Sequence, residues 1–235
     1  MNSDGWDSEL ELVEVLQLIL ERRSSPPAQG RLRIFREFDA GLGRVDLLAV
    51  WYDAEIIRTR ALSVESYESL PLFDSMCGYA MSFLRERREA TREALQLHLR
   101  TTKYRVGLVV DALARRSLIS TQESRLCLRP IRALWSIRAI EAYEAKLTDW
   151  TRASEQAIRH LWFASRAYVV MPRLGPKALA RVVNQCDFWK IGLLLFSGRD
   201  SLSMGCRPRS RQTPYTQLGW NINELFFEEA CRAAI

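Results

Sequence analysis

Leu134-Trp-Ser-Ile-Arg-Ala-Ile-Glu-Ala-Tyr-Glu-Ala-Lys146, followed by Leu147-Thr-Asp-Trp-Thr-Arg-Ala-Ser-Glu-Gln156-Ala-Ile-Arg-His160, is the stretch that decides how this chain reads. Its first part alternates with the two-residue period of a strand and predicts one over 134–146. Thr148 and Asp149 are helix-capping residue types and predict a helix from Trp150 to about Ala164. Downstream the same signals give a strand at 167–171, a helix at 176–184 and a strand at 190–196. Upstream, Leu12, Leu16 and Ile19 share one face of a helix over 8–21, opposite Glu14, Gln17 and Glu21. The Ser-Ser-Pro-Pro-Ala-Gln-Gly segment at 24–30 ends that helix. Strands at 31–38 and 44–51 then flank Gly41-Leu-Gly43 as a hairpin. The order is α-β-β, a mostly helical block, then β-α-β-α-β, which predicts an α/β fold with a mixed sheet flanked by helices.

Composition sets the limits around that reading. The chain has 235 residues, 48% of them apolar, which suits one large or two small domains and excludes a disordered chain. Nothing approaches the roughly 18–20 consecutive apolar residues of a membrane span. The acidic start Met-Asn-Ser-Asp-Gly-Trp-Asp lacks the pattern of a signal peptide, so no export is expected. Five cysteines, an odd number without a CxxC pair, point to a reduced, cytoplasmic protein that uses them for packing. No Walker A, HExxH or Ser/His/Asp pattern is present.

The net charge is +6, and arginine supplies 30 of the 34 basic residues. Between Arg85 and Arg132 twelve basic residues face five acidic ones, so that segment is +7 and the rest of the chain sums to −1. Here helices are expected at 74–88, 91–100 and 103–116, followed by a polar hairpin at 119–128. The two later helices and their Thr101-Thr102 break have the rhythm of a helix-turn-helix, with the hairpin as a wing. Val106, Val109, Val110, Leu113 and Leu118 would form its small core. Thr101, Thr102, Lys103 and Arg105 then stand where a recognition helix meets duplex DNA, and Arg125 on the hairpin would reach phosphate. Such a unit can also serve protein interaction or dimerisation. The tail at 197–217, with Arg207, Arg209 and Arg211, reads as irregular and basic, and a short helix at 223–233 finishes the chain.

Chemistry is suggested by Asp46, Glu144 and Lys146. Residues i and i+2 of a strand point the same way, so Glu144 and Lys146 share a face, and Asp46 joins them if the second and third strands pair. Two carboxylates on adjacent strands offer hard oxygen ligands to Mg²⁺ or Mn²⁺, and an ammonium beside them suits phosphate chemistry. Val45-Asp46-Leu-Leu, Glu144-Ala-Lys146 and the Trp150-to-Gln156 helix together resemble the PD-(D/E)XK nuclease superfamily, of restriction-endonuclease-like fold. The resemblance spans 8–52 and 134–200. It implies a domain built from 1–52 and 134–235, interrupted by a winged-helix-like insertion at 53–133. It also implies a metal-dependent DNA endonuclease in which Asp46, Glu144 and Glu9 face the metal, Lys146 assists the attacking water and Gln156 supports the site. RecB-like members carry Gln-x-x-x-Tyr on that helix, and His160 stands in the tyrosine position with its role open. Restriction, defence, mobile-element and repair settings all fit. The competing readings are a non-catalytic DNA-binding or assembly protein on the same fold, and an RNA nuclease. A homodimer, which would let both strands be cut, is neither required nor excluded by the sequence.

Overall fold

A computed structural model describes residues 6–22, 30–41, 43–64, 70–122, 124–199 and 201–233. In chain order the elements are α1 (Glu9–Arg22), β1 (Arg31–Asp39), β2 (Arg44–Tyr52), α2 (Ala54–Ala61), α3 (Ser75–Arg87), β3 (Glu89–Thr91), α4 (Arg92–Leu99), α5 (Lys103–Arg115) and β4 (Ile119–Gln122). They continue with β5 (Arg125–Leu128), α6 (Ile131–Leu134), β6 (Ile137–Ala145), α7 (Trp150–His160), β7 (Arg166–Pro172), α8 (Pro176–Trp189), β8 (Gly192–Phe196), β9 (Leu202–Cys206) and α9 (Gln217–Ala233). These form two compact units, one from 1–52 and 138–214, the other from 53–137 and 215–235.

The first unit is mixed α/β, a six-stranded sheet in the order β1-β2-β6-β7-β8-β9 with helices against it. β1 and β2 pair antiparallel, β6, β7 and β8 run parallel, and β9 returns antiparallel. Every residue of Gly192–Phe196 is buried, as a central parallel strand covered on both faces requires. One face packs α1 through Leu12, Leu16 and Leu20 onto Leu47, Tyr143, Ala145 and Val170. The other packs Ala153 and Ala157 of α7 and Val182 and Cys186 of α8 onto Val169, Met171 and Leu193. Gly192 lies beside Tyr168, where an added Cβ would stand 2.3 Å from the ring carbon Cδ1, so only glycine lets that ring lie across the strand.

Several boundaries differ from the sequence reading. β6 begins at Ile137 because Ile131–Leu134 close a helical turn first. α7 stops at His160, whereas α8 runs on to Trp189 and ends at Lys190 in a left-handed conformation, φ 61°. The stretch expected to be irregular contains β9, and the expected short terminal helix has 17 residues. α2, capped by Asp53, and the three-residue β3 were not anticipated. Of the segment read as ending α1, 24–29 lie outside the described residues.

The second unit joins α2 to α6 and α9 with a small sheet in the order β3-β5-β4. Met81, Leu84, Leu95, Val106, Val109, Val110, Leu113, Leu118 and Leu126 share its core with Trp220 of α9. Residues 215–235 therefore belong here, not to the domain that the sequence reading closed with them. Asn223 shows why. Its Oδ1 accepts from Ser136 N and Oγ, both at 2.8 Å, and its Nδ2 donates to Leu134 O at 3.0 Å. Arg60 donates two bonds of 2.6 Å to Glu224, and Arg116 reaches Glu224 at 3.3 Å and Glu228 at 2.6 Å.

Candidate active site

Asp46 near the start of β2 and the end of β6 come together through the backbone. Asp46 Oδ2 accepts from Ala145 N at 2.8 Å, which fixes its carboxylate beside the Glu144-Ala-Lys146 run. Lys146, the first residue past β6, is almost buried, and its Nζ donates to Glu9 Oε2 at 3.0 Å and to Ala145 O at 2.8 Å. The same ammonium lies 3.5 Å from Asp46 Oδ2. Burial opposes the charge on Lys146, but Asp46 and Glu9 outweigh it and raise its affinity for the proton above the ordinary lysine value. Lys146 is thus an ammonium at neutral pH, a donor and a positive charge but not a base.

Glu144 is fully buried, with Oε1 2.5 Å from His160 Nε2. Its other oxygen has no hydrogen-bond partner among the described residues. Burial, and next the charge of Asp46, push its carboxyl above the usual range, although the bond to His160 works the other way. The His160 role left open by the sequence is therefore contact with Glu144 from the last residue of α7. Gln156 stands one turn earlier on the same helix face, and its buried Oε1 also lacks a partner among the described residues.

The structure thus brings together Glu9, Asp46 and Lys146 by ion pairs and Glu144 with His160, while Gln156 hydrogen-bonds to none of them through Oε1. Glu9, expected to face a metal, forms an ion pair with Lys146 at 3.0 Å. Among the described residues no three His, Cys, Asp or Glu side chains are drawn together as around an ion. The donor chemistry nevertheless fits a hard divalent cation. Asp46, Glu144 and the Ala145 carbonyl offer oxygens only, Glu144 Oε2 has no hydrogen-bond partner among the described residues, and Mg²⁺ commonly takes just one or two protein carboxylates.

Neither a protein-family model, nor a curated protein, nor a solved structure matches this chain.

In the second unit α5 begins at Lys103 with Thr102 as its cap, the Thr102 hydroxyl accepting from Arg105 N at 3.2 Å. Lys103 and Tyr104 are exposed. Arg105 is tied to Asp74, and Arg125 to Glu89. Arg116, counted in the basic block, is 2% exposed and serves the buried network with Glu224. Ion pairs thus engage both predicted DNA-binding arginines, and Lys103 is exposed.

Proposed function

We propose that the chain is a metal-dependent nuclease of the PD-(D/E)XK type, acting on DNA, with Asp46 and Glu144 as the metal-holding carboxylates. The observation that carries this is the juxtaposition at the end of β6. A fully buried carboxylate with one unanswered oxygen stands two residues before a lysine ammonium that an aspartate from the neighbouring strand keeps charged. A bare buried carboxylate is costly, and a cation beside it removes the cost. The sheet order and the α7 helix after β6 further support a restriction-endonuclease-like unit.

Mg²⁺ or Mn²⁺ held there would supply Lewis acidity toward a phosphoryl oxygen and would acidify water. The chain's own groups do the rest. Lys146 presents a proton donor and a positive charge where negative charge grows on the phosphate. Glu9 and the Ala145 carbonyl hold its ammonium in place, His160 fixes the rotamer of Glu144, and the Ala145 amide fixes Asp46. The second unit, with Lys103 and the arginines around it, would add affinity for duplex DNA through phosphate contacts.

A second reading is a non-catalytic DNA-binding or assembly protein, favoured by the capture of Lys146 and Glu144 by partners within the chain. Incubation with plasmid, linear duplex, single-stranded DNA and RNA, each with Mg²⁺, Mn²⁺ or EDTA, separates the two. Metal-dependent cleavage of DNA, reduced by about 100-fold or more in Lys146→Ala, is expected. Absence of cleavage on every substrate, or an unimpaired variant, would refute the nuclease reading. Preference for RNA would move the substrate class.

A further inference from the structure

A cavity of about 690 Å³ lies on the α1 face of the first unit's sheet, lined in part by Leu20 near the end of α1. Glu9, at the other end of that helix, belongs to the carboxylate cluster; eleven residues at 1.5 Å rise put the two places about 16 Å apart. The cavity sits where the parallel strands begin, with Arg138 and Arg166 in its wall, whereas the carboxylate cluster sits where β6 ends. Its volume falls in the range of about 300–1,000 Å³ typical of small-molecule sites.

The tail carrying Arg207, Arg209 and Arg211 contributes Ser210 and Arg211 to the wall of this cavity. Arg209 N donates to Lys190 O at 3.0 Å and Arg211 N to Ser165 O at 3.3 Å, so the segment is tacked across the starts of β8 and β7. Arg211 Nε donates to Ala164 O at 3.2 Å, and its side chain lines the cavity. The arginines there are not equivalent. Arg166 is answered by Glu141 at 2.6 Å, and Glu141 also accepts from Tyr143 Oη at 2.7 Å. Arg211 has no carboxylate partner among the described residues, and burial lowers its hold on the proton below the usual arginine value with nothing acidic to offset it. A partly buried guanidinium of this kind is completed by an anion. The remaining wall mixes aliphatic and aromatic side chains, Leu20, Leu194 and Met204 beside Trp51, Tyr143 and Tyr168. Tyr143 and Tyr168 stack with ring centroids 4.8 Å apart and planes 9° apart, and Trp51 lies at the rim.

We propose that this cavity binds a phosphorylated nucleoside, with Arg211 anchoring the phosphate and the partly exposed Trp51 receiving the base. Guanidinium groups match phosphate geometry, and aromatic faces stack on any base. The ligand is either a free nucleoside monophosphate or the 5′-phosphorylated end of a nucleic-acid strand. The inference rests on this cavity alone and does not require the carboxylate cluster to be catalytic.

Calorimetric titration of the full chain in EDTA tests it, using AMP, adenosine, inorganic phosphate, and short oligonucleotides with 5′-phosphate or 5′-hydroxyl ends. AMP is expected to bind at least about tenfold more tightly than adenosine or phosphate. Arg211→Gln should weaken AMP by about tenfold or more, and Arg138→Gln, at an exposed position, by less. Preference for the phosphorylated oligonucleotide over its hydroxyl counterpart identifies a strand end, and equal, weak binding of both identifies the free nucleotide. No binding of AMP, phosphate binding as tightly as AMP, or a folded Arg211→Gln chain with unchanged affinity would overturn the proposal.

Discussion

Replacing Glu144 by glutamine separates a carboxylate kept for function from one kept for structure. The side chain is fully buried, one oxygen meets His160 at 2.5 Å, and the other meets nothing among the described residues. Its carboxyl is held above the ordinary range, first by burial and then by the charge of Asp46. A raised folded-state value means that the site is most favourable when protonated. The stability it contributes is complete below the ordinary carboxylate range and is lost as pH rises through the raised value. The isosteric amide keeps an acceptor for His160 and removes the buried charge. Exchanging a poorly compensated buried ion for a neutral group stabilises by about 1–2 kcal/mol, or roughly 2–8 °C in melting temperature for a chain of this size. Calorimetric melts in EDTA at neutral pH should therefore show Glu144→Gln at or above the wild type, with the gap closing as pH falls. Added Mg²⁺ should raise the melting temperature of the wild type and not that of the variant, and cleavage should fall by about 100-fold or more. A variant more than about 1 kcal/mol less stable, beside a wild type that ignores metal, would show that Glu144 serves as the structural partner of His160 and refute the reasoning.

Glu224→Ala should destabilise the second unit by about 3–5 kcal/mol, because it strands Arg60 and partly strands Arg116 in the core; chemical denaturation followed by tryptophan fluorescence reads the loss. Gly192→Ala should cost about 1–3 kcal/mol in the same assay, since the new Cβ collides with the Tyr168 ring. Lys103→Ala should weaken duplex binding and reduce the slope of log affinity against log salt by about 0.9, the share of one phosphate contact; an unchanged slope would remove Lys103 from the interface.

The sequence made β6, α7 and the Glu144-Lys146 pair readable because each is local: a period of two, a cap at Asp149 and an i, i+2 spacing. What Asp46 touches is not local. Its bond to the Ala145 amide depends on how β2 and β6 are aligned, which neither strand states alone. Glu9 was placed near the cluster by the family resemblance, and the bond it accepts from Lys146 needed coordinates. α2 was missed because its only buried side chains are Ile57 and Arg60, so no apolar stripe marks it. β9 was missed because four of its five residues, Ser203, Met204, Gly205 and Cys206, give little strand signal, and the close packing of Gly205 on Leu193 is invisible in one dimension. α9 advertised an apolar face but not which core would receive it, and Asn223 settles that by bonding to 134–136.

Charge shows the same limit with a functional consequence. Read along the chain, the +7 of 85–132 made one segment the natural holder of a polyanion. Grouped by fold, the second unit carries 15 basic and 13 acidic residues, or +2, because 53–84 brings a net −3 and α9, with Glu224, Glu228, Glu229 and Arg232, a net −2. The first unit carries 19 and 15, or +4, and its 138–214 portion has 13 basic residues against six acidic ones. Arg116 is spent inside the core, and Arg105 and Arg125 are paired at the surface. Net positive charge therefore belongs to both units. A loss of one slope unit in Lys103→Ala would leave most of the salt dependence in place, and the arginines between 138 and 214 are where the remainder is to be sought.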